Sequence, residues 1–109
     1  MDDTFLRTML FDFYGDLLTE KQRECYDLHF NQDLSLQEIA EQYGASRQAV
    51  WDLVRRGSDA LREIEEKTGL VARAVKRRTQ VREALALAKR LPESAEQAAL
   101  VEKLELLED

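Results

Sequence analysis

The stretch from Leu36 to Arg55, LQEIAEQYGASRQAVWDLVR, decides the fold. Two helices crossing tightly through a short turn need a small residue at the contact and a glycine able to turn left-handed. They also need apolar residues facing inward on both sides. Ala40 supplies the small contact and Gly44 the turn, with Ile39 and Tyr43 expected on the inner face of the first helix and Val50 and Leu53 on that of the second. Ser35 and Glu38 form a capping-box pair that opens the first helix, and Ser46 caps the second. This is the spacing of a helix-turn-helix.

Turning Val50 and Leu53 inward leaves Ser46, Arg47, Gln48, Trp51, Asp52 and Arg55 towards solvent. Arg47 and Gln48 carry the donors that read base edges in a major groove, and Ser46 at a helix N-terminus is placed to hold a phosphate. Arg55, Arg56 and Arg62 extend backbone contacts along the same helix. Trp51 follows Val50 and so points about 100° away from the buried line. An aromatic there stacks on a base or anchors a partner protein, where a duplex reader more often has a slim polar residue. The rival reading of Trp51 is a core position.

Outward from this motif the chain reads as helices throughout, an all-α fold. Phe5, Leu6, Met9, Leu10, Phe13 and Leu17 recur at helical steps, with an end expected at Gly15-Asp16. Thr19 and Gln22 make another capping-box pair, opening a helix that carries Cys25, Leu28 and either Tyr26 or His29 inward and stops near Asn31-Gln32-Asp33. The helix capped by Ser46 runs to about Lys67, before Gly69. A fifth, from about Leu70 to Leu91, has Val71, Ala74, Val81, Leu85 and Ala88 on one stripe. Pro92 ends it, and Ser94 caps a last helix through Leu107. The expected division is a helix-turn-helix domain over 1–69 and a C-terminal helical extension over 70–109.

One proline and four glycines in 109 residues fit long, regular helices, and a 44% hydrophobic fraction allows only a modest core. The formal charge of −6 is unevenly laid out. Residues 1–46 hold 3 Lys+Arg against 10 Asp+Glu, residues 47–90 hold 12 against 6, and residues 91–109 hold 1 against 6. A cationic middle between acidic ends can dock on an anion although the whole chain is acidic. The bland alternative is a solvated, salt-bridged helical surface. No apolar run is long enough for a signal peptide or a spanning helix, and the single Cys25 demands no oxidising compartment. A cytoplasmic protein with no membrane association is expected.

A second basic patch, Arg73, Lys76, Arg77, Arg78 and Arg82, falls on the fifth helix. It suits phosphate contacts without sequence reading, or else pairs with the acidic tail from Glu93 to Asp109. Leu100, Val101, Leu104 and Leu107 form an apolar strip that needs a partner helix. Together with Phe5, Met9 and Phe13 they lead to a homodimer as the expected state, with a compact monomer as the alternative.

No catalytic set can be assembled. His29 stands alone, Cys25 has no second thiol at metal-ligand spacing, and no Gly-rich nucleotide loop occurs, so neither catalytic residues, a metal nor a cofactor is expected.

LLTEKQRECYDLHFNQDLSLQEIAEQYGASRQAV resembles region four of bacterial sigma factors, the part that recognises promoter elements. The closer resemblance is to the YlxM family of small bacterial helix-turn-helix proteins. LFDFYGDLLTEKQ, DLSLQEIAEQYGASRQAVWD and a stretch ending EEKTGL carry it, across residues 5–70. This resemblance implies a sigma region four-like helix-turn-helix with additional C-terminal helices. It further implies a component or regulator of the signal recognition particle pathway, whose gene commonly neighbours that of the particle's GTPase, Ffh. The leading expectation is therefore a non-enzymatic regulatory protein binding DNA, structured RNA, Ffh, or both nucleic acid and Ffh. A sequence-specific DNA-binding transcription regulator is the second expectation, and a protein-interaction module without nucleic-acid binding the third.

Overall fold

A computed structural model describes residues 3–108. Among them are six α-helices and no strand: α1 (Asp3–Tyr14), α2 (Glu20–Tyr26), α3 (Leu36–Tyr43), α4 (Arg47–Thr68), α5 (Leu70–Lys89) and α6 (Ala95–Leu106). The fold is all-α. A 3₁₀ turn, Gly15–Leu17, follows α1, and a π-helical turn, Asp27–Asn31, extends α2. The expected stop near Asn31-Gln32-Asp33 is thus reached through a widened last turn. Asp27 holds it by accepting from both Asn31 Nδ2 and Gln32 Nε2 at 2.8 Å.

The helix boundaries follow local chemistry. Thr19 and Ser35 accept from the amides of Gln22 and Glu38, whose side chains reach back to the cap amides, so both capping boxes are formed. The Ser35 backbone amide, with help from its hydroxyl, hydrogen-bonds the Glu38 carboxyl and holds it below its usual range. Gly44 ends α3 at φ 61° and Gly69 ends α4 at φ 64°, the left-handed region that glycine enters without strain.

The helices group into two compact units, one reaching to Gly69 and one starting at Leu70. In the first, Cys25, Ile39, Ala40, Val50 and Val54 form a buried cluster, with Leu28, Phe30, Leu34, Leu36 and Leu53 packed on it. Each fully buried aliphatic side chain there contributes about 1.5–3 kcal/mol relative to leaving it in water. Tyr26 is also buried and stacks on Phe11 at 5.4 Å, tying α1 to α2. Burial pushes its phenol up, while the charges of Arg7 and Arg62 pull it down. His29 is half-buried, with Nδ1 2.9 Å from the Leu34 carbonyl.

Two expected core positions shift. Tyr43 is 43% exposed, because its hydroxyl reaches Glu24 Oε2 at 2.7 Å and keeps the ring at the rim. Leu53 is only half-buried, and Val54, one helical turn beyond Val50, takes the inner place.

In the second unit Leu85 and Ala88 are buried and Ala74 and Val81 half-buried. Helix α5 stops at Lys89, short of Leu91, where the Gln97 side chain donates to the Ala88 carbonyl at 3.1 Å. Ser94 caps α6 by accepting from Gln97 N. Val101 and Leu104 are half-buried, whereas Leu100 and Leu107 are exposed. The last residue of the acidic tail, Asp109, lies outside the described residues.

Candidate nucleic-acid interface

The site is built where α3 and α4 meet. Because Ile39, Ala40, Val50 and Val54 turn inward, the opposite side of the first turns of α4 faces solvent. Leu36, from the first turn of α3, joins Arg47, Gln48 and Trp51 around an open groove. Trp51 is 40% exposed, which excludes a core position and brings part of its side chain to the solvent. Arg47 and Gln48 are exposed one turn before it. The groove therefore joins an aromatic platform, a fixed cation and an amide with both donor and acceptor.

Ser46 sits at the mouth of α4, and its Oγ accepts from Ala49 N at 3.0 Å. That bond engages one lone pair and leaves the hydroxyl proton to donate outward. Helix geometry also leaves the Arg47 and Gln48 amides without intrahelical acceptors, which favours an anion at this end. No acidic residue occupies the first turn of α4.

The remaining arginines differ from what their exposure suggests. Arg55 lies one turn beyond Trp51 on the same face, yet its guanidinium pairs with Asp52 at 2.8 Å and with Asp59 at 3.7 Å. Arg56 pairs through Nε with the other Asp52 oxygen at 3.1 Å. Sequence reasoning placed Asp52 in solvent and missed this clamp, although its i,i+3 and i,i+4 spacings to the two arginines were there to find. Arg62 is exposed three turns beyond Trp51, roughly 16 Å along the axis. Its charge acts on Tyr26, so it stands apart from the groove.

In the second unit, Arg73, Lys76, Arg77 and Arg82 are exposed and Arg78 is half-buried. Arg82 makes an ion pair with Glu108 at 3.8 Å, so here the basic helix meets the acidic tail. Among the described residues no group of three or more His, Cys, Asp and Glu is arranged to hold a metal, and no helix is long and apolar enough to cross a membrane.

Two capped helices joined through a left-handed glycine, with a donor-bearing outer face, define the class of a helix-turn-helix protein. A family model covering residues 1–105 matches the chain: UPF0122, described as "Putative helix-turn-helix protein, YlxM / p13 like". The chain belongs to this family. It is 43% identical over 108 residues to a UPF0122 protein of Halalkalibacterium halodurans, covering 99% of both chains. A UPF0122 protein of Geobacillus kaustophilus is 46% identical over 110 residues, again covering 99% of each. One from a Thermoanaerobacter species is 51% identical over 74 residues, 67% of this chain and 63% of that protein.

Proposed function

We propose that the protein is a non-enzymatic regulatory component of the cytoplasmic signal recognition particle pathway that binds structured RNA through the α3–α4 groove. The observation that carries the nucleic-acid reading is the half-exposed Trp51 ring beside Arg47 and Gln48 in one groove. Unpaired RNA bases can lie on an aromatic face while a guanidinium holds the backbone. A duplex keeps its bases stacked on one another and offers that ring nothing to stack on. The pathway assignment rests on membership of the YlxM-like family and on the association with the particle that this resemblance implies. The same exposed tryptophan also suits a contact to Ffh, the second reading.

Arg47→Ala and Gln48→Ala test it, since both side chains are exposed and their removal leaves the core intact. Each should weaken binding to an RNA hairpin, costing on the order of 1–3 kcal/mol for a lost base contact, with affinity that falls steeply as salt rises. Unchanged affinity for hairpin RNA and for duplex DNA, with salt-insensitive binding to Ffh, would favour the protein-contact reading.

The chain is further proposed to act as a homodimer. Phe13 at 45%, Leu100 at 42% and Leu107 at 62% exposure leave apolar surface that a partner copy would cover. Sedimentation equilibrium at micromolar concentration should give the mass of two chains; the mass of one would overturn the dimer.

A further inference from the structure

We infer that Asp52 is a specificity-determining residue that withholds Arg55 and Arg56 from indiscriminate phosphate binding. Its two carboxylate oxygens are divided between the two guanidinium groups, Oδ1 to Arg55 Nη2 at 2.8 Å and Oδ2 to Arg56 Nε at 3.1 Å. Asp59 adds a longer contact to Arg55. Arg55 shares the helix face of Gln48 and Trp51, so without the clamp it would prolong the cationic strip beyond the groove. A phosphate approaching either arginine meets the carboxylate at the same moment, and the two charges repel. Exposed ion pairs of this kind add little stability, so the effect of the clamp falls on binding and not on folding. The consequence is that a nucleic acid must gain from the groove itself, through Trp51, Arg47 and Gln48, because backbone charge alone finds few open cations on α4.

This inference rests on the nucleic-acid reading of the groove, and its test separates the two. Wild type, Asp52→Asn and Glu66→Gln are titrated with a mixed-sequence DNA duplex and with an RNA hairpin across a salt series. Glu66→Gln makes the same change in net charge about 21 Å further along α4, on an exposed side chain. Asp52→Asn should bind the duplex about tenfold more tightly near 0.1 M salt. Its log–log salt slope should steepen by about one for each guanidinium released, while Glu66→Gln stays close to wild type. Equal duplex affinity and slope for Asp52→Asn and Glu66→Gln, with hairpin binding by the wild type intact, would overturn the role of Asp52 alone. Absence of binding to either probe by all three proteins would overturn the groove reading and this inference together.

Discussion

The Tyr14 hydroxyl donates to Glu65 Oε1 at 2.6 Å, joining the end of α1 to the last turns of α4 across 51 residues of chain. The same phenol oxygen lies 2.5 Å from the Thr68 hydroxyl, and Tyr14 is only 3% exposed. A buried phenol on a carboxylate oxygen is a strong hydrogen bond, and it holds the long helix of the recognition motif against the first helix. Tyr14→Phe keeps the ring and removes the oxygen. It should lower stability by about 1–3 kcal/mol, read as a reduced urea midpoint at neutral pH. An unchanged midpoint would mean that the contact holds nothing.

The glycines of α3 and α4 should respond in opposite ways. At Gly44 there is open space for a Cβ, but φ is +61°, so Gly44→Val should cost about 1–3 kcal/mol through backbone strain. Gly57 sits in mid-helix, and an added Cβ would meet Gln22 and Leu18 at an ordinary 3.6 Å. Gly57→Ala should therefore stabilise the protein by roughly 0.5–1 kcal/mol, the helix preference of alanine over glycine. Urea midpoints for both variants, with Gln42→Ala as an exposed reference, decide the pair.

These contrasts show where the sequence could be read and where it could not. The Thr19–Gln22 and Ser35–Glu38 boxes, Gly44 and Gly69 act over three or four residues, so local rules place them. The outward turn of Ser46, Arg47, Gln48 and Trp51 follows from helical phase once Val50 is known to be inside. Tyr43 could not be placed this way, because its partner Glu24 lies on another helix 19 residues away. The Tyr14–Glu65 bond and the π-helical turn at Asp27–Asn31 depend on tertiary packing in the same way. The Asp52 clamp is a different case. It is local, set by the i,i+3 and i,i+4 spacings from Asp52 to Arg55 and Arg56.

Tyr43 gives a pH signature. Its hydrogen bond to Glu24, aided by burial and by the Glu24 charge, pushes its phenol up to about 12 from an ordinary value of 10.0. The folded chain thus holds this proton more tightly than the unfolded chain does. Its contribution to stability is whole below pH 10 and is lost as the pH climbs through about 12. The difference in stability between wild type and Tyr43→Phe should stay constant up to pH 10 and shrink towards pH 12. A difference that does not change across this window would count against the Glu24 contact.

Trp51 is proposed to meet a base, and as the chain's single tryptophan it allows this to be measured without a label. Intrinsic fluorescence is followed while an RNA hairpin with an unpaired loop is added at low and then at raised salt. Base stacking should quench the emission in a saturable way, with the midpoint moving to higher RNA concentration as salt rises and the quench lost in Arg47→Ala at the same RNA concentration. A hairpin that binds, by an independent mobility measurement, while the emission of Trp51 stays unchanged would show that Trp51 does not stack on a base.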